Sequence, residues 1–151
     1  MFYTQTIVYE CPGFRLGIER PAPGFVVVRL AGSDAGEFGD DPLRELDRDL
    51  ADDRLIELYI DARDVQGVTV GVVHQWSEWL HRRRARFKRV TMLTGTWYVK
   101  LTAGYVRRFA GLEDIMVHHA DSARFDEALK TAVDRANEPP TLADGPLSQY
   151  R

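Results

Sequence analysis

Cysteine is almost missing from this chain. Cys11 is the single one among 151 residues, which excludes an internal disulfide and argues against a thiol-ligated metal cluster. Long apolar runs are missing too. The longest are Phe25-Val26-Val27-Val28 and Val70-Gly71-Val72-Val73, far short of the roughly 20 residues that span a bilayer. The N-terminus lacks the basic segment of a signal peptide, so a cytoplasmic protein is expected, and no membrane contact. Glycine-rich phosphate cradles are absent as well. Gly32-Ser33-Asp34-Ala35-Gly36 has too few glycines at the wrong spacing for a nucleotide loop.

What is present suits one domain of ordinary size. Hydrophobic residues make up 44%, enough for a core. The net charge of −3 hides an asymmetry. Residues 33–64 carry twelve acidic side chains against four basic ones, and residues 81–108 carry nine basic side chains and no acidic one. Such fields either attract each other within the fold or a dimer, or offer a docking surface to a charged protein. A homodimer is compatible with either reading. Nucleic-acid binding is not expected, because the acidic half opposes it and the aromatics near the basic run read as core.

The elements follow from periodicity. Residues 6–9 and 14–20 are β-prone and flank Pro12-Gly13, a turn signal. Residues 25–30 form a β-branched run suited to a strand buried on both faces, ended by a loop at 31–36. Asp41-Pro42 opens a helix with Leu43, Leu46 and Leu50 as its apolar stripe. Residues 55–61 read as a second buried strand, running into a polar loop. A helix from about Thr69 to Arg84 carries Val72, Val73, Trp76, Trp79 and Leu80 on one side. Residues 89–93 are a third core strand, and a helix is expected over 97–109. Residues 115–118 form a short strand, and Asp121 or Ser122 caps a last helix whose stripe is Phe125, Ala128, Leu129, Ala132 and Val133. Strands alternating with helices indicate an α/β fold, a mainly parallel or mixed sheet of four to six strands with about four helices. The domain spans residues 1–137, and 138–151, rich in proline, reads as a flexible tail.

The chemical constellations are thin. His74 lies between apolar neighbours on a helix. His118 and His119 are adjacent on a strand, so their rings point to opposite faces and do not converge on a metal. Asp61 and Asp64 stand at the end of a central strand, where α/β folds build sites, with Arg63 between them as an ion-pair partner. No nucleophile–base pair accompanies them, and neither an enzyme nor a cofactor or metal site is expected. An enzyme would require Asp61, Asp64 or His74 to converge on one pocket.

Several stretches resemble the STAS domain, the family of bacterial anti-sigma-factor antagonists and related STAS/SEC14-like proteins. Phe25-Val26-Val27-Val28-Arg29-Leu30-Ala31-Gly32 is similar to its first core strand and "L-x-G" ending. Leu58-Tyr59-Ile60-Asp61-Ala62-Arg63-Asp64-Val65 is similar to its "LDLS-x-V" strand. Arg89–Gly95 and Ile115–His119, followed by Phe125-Asp126-Glu127-Ala128-Leu129, are similar to its later strands and closing helix. The resemblance covers roughly residues 14–136. It implies a non-enzymatic signalling domain that binds a protein partner, an anti-sigma factor or kinase-like regulator, under control of phosphorylation.

The family's switch loop, Asp-Ser-Ser/Thr-Gly-Leu, is degenerate here as Val68-Thr69-Val70-Gly71-Val72. Gly71 and an apolar neighbour remain, the aspartate does not, and Thr69 is the one hydroxyl. Thr69 is therefore either a modification site, its phosphate favoured by the helix N-terminus, or a helix cap. Asp64, Gln66, Gly67 and Gly71 around it, and Arg82, Arg83 and Arg84 at the far end of the helix, are the candidate partner-binding residues. A different reading makes the chain a carrier of a small apolar ligand or lipid, held between sheet and helices by Trp76, Trp79, Trp97 and Tyr105.

Overall fold

A computed structural model describes residues 5–95, 105–108 and 111–138. Six strands form one mixed sheet in sequential order: β1 (Gln5–Cys11), β2 (Phe14–Ala22), β3 (Phe25–Asp34), β4 (Ile56–Val68), β5 (Phe87–Thr94) and β6 (Met116–His119). The first three are joined antiparallel and the rest parallel. The Pro12-Gly13 hairpin was legible in sequence, and its geometry imposes a second glycine. Gly32 has φ +98°, and a Cβ there would stand 2.1 Å from the Gly13 carbonyl oxygen, where the Ser33 N–H donates at 2.9 Å.

Helices cover the two faces unequally. Helix α1 (Asp41–Asp47) and helix α2 (Val70–Arg82) pack on one face, where Leu43, Leu46, Trp79 and Leu80 meet Leu16, Val28, Leu58 and Val90. Helix α3 (Ser122–Asn137) is the one helix on the other face among the described residues, burying Phe125 and Leu129 on Val27, Tyr59 and Leu93. The β-branched run 25–28 feeds both faces alternately, so all four of its side chains are buried, each stabilising the fold by about 1.5–3 kcal/mol on area grounds. Residues 105–108 are helical, with Val106 in the α1–α2 core. The remainder of the helix expected over 97–109, Trp97 included, lies outside the described residues, and so do residues 139–151 of the expected tail.

Three local expectations change. The loop expected after Asp61 is strand: β4 runs on to Val68 beside β3, which itself continues to Asp34. The register moves from Arg29↔Asp61 to Ala31↔Asp64, then from Gly32↔Val65 to Ser33↔Gly67. β4 thus holds two extra residues against β3. Bulges of this kind break period-two alternation, so the polar stretch Arg63-Asp64-Gln66 does not read as strand although its backbone stays in the ladder. Leu55, expected to open this strand, is exposed outside it. Asp41, expected to cap α1, is its first helical residue; the cap position is Asp40, which makes no cap bond, and its carboxylate accepts from the Gln75 amide at 2.5 Å. That bond ties α2 to the loop that leads into α1.

Candidate functional site

Thr69 stands where β4 passes into α2. Its backbone is extended, with φ −76° and ψ 157°, and its N–H donates to the Asp34 carbonyl at 3.1 Å, fixing the junction to the end of β3. Its Oγ1 accepts the Val72 N–H at 3.3 Å, and its carbonyl accepts from Val73 at 3.1 Å. The hydroxyl therefore caps α2 and satisfies one of the donors that the first helical turn leaves open.

The surface beside this cap is unusual. Val70 is 81% exposed, the most exposed large apolar side chain among the described residues. Gly71 follows, with open space where a Cβ would project. Thr69 itself is exposed. Opposite lies the turn after β3, held by two carboxylates: Asp34 Oδ1 accepts the Gly36 N–H at 2.9 Å and Glu37 Oε1 accepts the Ala35 N–H at 2.8 Å. Burial raises the Asp34 carboxyl above its usual range, the Gly36 N–H opposes that rise, and Glu37 adds to it.

Asp64 and Gln66 are exposed on β4, and Gly67 is half-buried opposite Ser33. At about 3.3 Å per residue the strand sets Asp64 some 15 Å back from Thr69, so these residues form a rim along the sheet end rather than one loop. Arg82, Arg83 and Arg84 are farther still, because thirteen helical residues put them roughly 18 Å from the cap.

The two opposite charge fields meet within the molecule at two arginines, Arg83 and Arg86. Arg83 pairs with Asp47, Nη2 to Oδ2 at 3.1 Å, and its guanidinium lies 5.2 Å from the Trp79 ring centroid. The Trp79 indole N–H donates to the same carboxylate at 2.9 Å. Arg86 reaches Asp53 at 3.6 Å, Arg82 pairs with Glu78 one turn back, and Arg20 grips Asp49 through two bonds of 2.8 Å. Asp47, Asp49 and Arg83 are thus engaged in the fold's own ion pairs. Arg82 and Arg84 are exposed.

Asp61 is buried at 6% exposure on the α3 face. Arg29 donates to it at 2.7 Å and Arg63 at 3.0 Å, and Arg63 also binds Asp126 of α3. These contacts hold Arg63 well above its ordinary value and Asp126 below the usual carboxylate range, in each case chiefly through the hydrogen bond between them. His74 is exposed on α2, 3.8 Å from Glu78, on the other side of the sheet. Asp64 is exposed, so Asp61, Asp64 and His74 do not share a pocket. His118 contacts Thr94 at 2.7 Å while His119 packs on Phe125, which puts the two rings on opposite faces.

An apolar cleft lies between the sheet and α2, lined by residues including Ile60, Ala62, Val65, Val72, Trp76 and Met92. Of the residues expected to line such a cavity, Trp76 does so, whereas Trp79 is committed to the core and Tyr105 is half exposed. Its volume is about 70 Å³, below the ~150 Å³ of a cavity that admits benzene.

This architecture has solved counterparts. The chain aligns over 78% of its length with 94% of an uncharacterized protein of the DUF3478 family with a SpoIIAA-like fold, from Shewanella loihica PV-4, at TM-score 0.57 and 18% identity. The fold is SpoIIAA-like. The chain is also similar, at TM-score 0.48 and 17% identity, to the anti-sigma factor antagonist SpoIIAA in its unphosphorylated form, over 76% of this chain and 96% of that one. No family model matches the chain, and no curated protein matches it. The mixed sheet expected from the sequence, and the STAS-like fold it resembled, are the observed ones.

Proposed function

We propose that this chain is a regulatory protein-interaction domain of the anti-sigma-factor-antagonist type. It docks its partner over the first turn of α2, and Thr69 is the point at which modification controls docking. One observation carries the reading: Val70, a large apolar side chain, is held 81% exposed directly beside an exposed hydroxyl. An isolated apolar residue on a surface needs no explanation. This one is fixed by the cap at Thr69 and faces outward beside a glycine that leaves room for a partner backbone.

A phosphate on Thr69 would meet the positive end of α2 and the carboxylates of Asp34 and Glu37 across the junction. The added charge would therefore reorder the turn against which a partner packs. Gly67 and Gly71 flank the contact. Asp64 and Gln66 extend it along the sheet rim, and Arg82, Arg83 and Arg84 would contribute only to a partner long enough to follow α2.

Affinity capture with the immobilised full chain tests this reading. A defined protein retained by the wild type and lost with both Val70→Asp and Thr69→Asp supports it. Equal capture by all three removes it. The other expectation, a carrier of a small apolar ligand or lipid, is disfavoured by the volume of the apolar cleft, about 70 Å³, which is too small for such a ligand.

A further inference from the structure

Helix α3 covers only part of its face of the sheet. Among the described residues it leaves on one flank a groove of about 720 Å³. Its floor is mixed: the buried Phe25, Tyr59 and Thr91, with Thr91 the register neighbour of both Tyr59 and the exposed Val117 of β6. The wall is α3 itself from Arg124 to Ala136, a run of about 18 Å at helical rise. Four cations stand around it, Lys88, Arg89, Arg124 and Arg135, against two carboxylates, Glu57 and Glu127. The only ion pair any of the four makes among the described residues is that of exposed Arg124 with Asp121 at 3.8 Å. This differs from the α1–α2 surface, where Asp47, Asp53 and Glu78 neutralise the arginines.

We propose that this groove docks an extended acidic segment of a partner protein, its carboxylates on Arg89, Lys88 and Arg135 and its alternate apolar side chains against Val117 and the Ala128, Ala132 and Ala136 side of α3. An extended chain advances about 3.3 Å per residue and alternates its side chains, so five or six residues fill the groove with carboxylates on one side. The floor lies below the wall that α3 raises, out of reach of a flat membrane surface. The groove sits on the opposite face from α2, and Glu57, Lys88 and Arg89 place it at the opposite end of the strands from Thr69. The inference is therefore independent of the Thr69 surface.

The test is fluorescence anisotropy of a labelled eight-residue peptide of alternating Glu and Val, titrated with the full chain. Saturable binding that weakens with added salt is expected. In Arg89→Glu/Arg135→Glu it weakens at least about tenfold, the size of two lost charge contacts. Arg82→Glu/Arg84→Glu leaves it unchanged, and a Lys-Val peptide does not bind. Should the reversal variant fail to fold, Arg89→Gln/Arg135→Gln carries the test, with binding weakened at least about threefold. Absence of saturable binding, equal binding by the groove variants, loss only in the α2 variant, or binding of phosphatidylserine vesicles in place of the peptide overturns the proposal.

Discussion

The Arg29 guanidinium on β3 lies 2.7 Å from the Asp61 carboxylate on β4, and the two residues are register partners across the parallel ladder. Asp61 is almost wholly buried, and Arg63 supplies its other bonds. Removing the carboxylate leaves two arginines without their shared acceptor. Asp61→Ala is expected to cost about 2–3 kcal/mol in urea unfolding, less than a fully buried pair because Arg29 is 40% exposed. A cost below about 1 kcal/mol would place the network among ordinary surface pairs.

The acid side of the stability profile depends on two carboxylates with opposite signs. Asp126 is held below its ordinary value by Arg63. Its contribution is therefore present above the unfolded value of about 4 and disappears as pH falls through the lower folded value. Asp34 is raised by burial. Its contribution is largest below the unfolded value and is lost as pH rises through the folded one. Melting temperatures across pH 2.5–7 (about 4 being the Asp midpoint) are expected to show a shallower acid decline in Asp126→Asn. They should also show Asp34→Asn more stable than wild type at neutral pH, by less than about 1 kcal/mol. An unchanged acid slope in Asp126→Asn contradicts the first assignment, and a less stable Asp34→Asn at neutral pH contradicts the second.

Much of the fold was legible because it follows simple periods. The run 25–28, the Trp76–Leu80 stripe and the Pro12-Gly13 turn each express one local rule. β4 beyond Asp61 did not, because two bulges interrupt the alternation that identifies a strand. Arg29 and Asp61 gave a readable signal, two opposite charges each closing an apolar run, but their pairing depends on a register that only the assembled sheet defines. Thr69 was readable as a cap from its place before an amphipathic helix. The exposure of Val70 was not, since the same residue type two positions later, Val72, is buried. The groove beside α3 was invisible in sequence because its residues come from β3, β4, β5, β6 and α3.

The hairpin offers a sharp comparison of two glycines. Gly13 has φ +87° and nothing near its missing Cβ, while Gly32 has φ +98° and a carbonyl oxygen 2.1 Å away. Gly13→Ala is expected to cost about 1 kcal/mol, from backbone strain alone. Gly32→Ala is expected to cost about 3 kcal/mol or more, because β3 must also move off the hairpin. Equal costs in parallel denaturation curves would show that the close approach relaxes freely.

The cap and the proposed modification point are the same side chain, so the two roles need separating. Thr69→Ala is expected to lower stability by about 1 kcal/mol through loss of the Val72 contact, whereas Thr69→Asp retains a capping oxygen and costs little. Chemical denaturation of both variants checks this, and an Asp variant less stable than the Ala variant contradicts the capping geometry.

With that difference established, Thr69→Asp becomes a folded protein with an altered docking surface. The most direct measurement is affinity capture of partners by wild type, Thr69→Asp, Val70→Asp and, as a control on the far edge of the sheet, Val8→Asp. A specific protein retained by the wild type and the Val8 variant, and lost from both α2 variants, is the expected result. Identical capture by all four proteins would contradict the assignment of this junction as the docking surface.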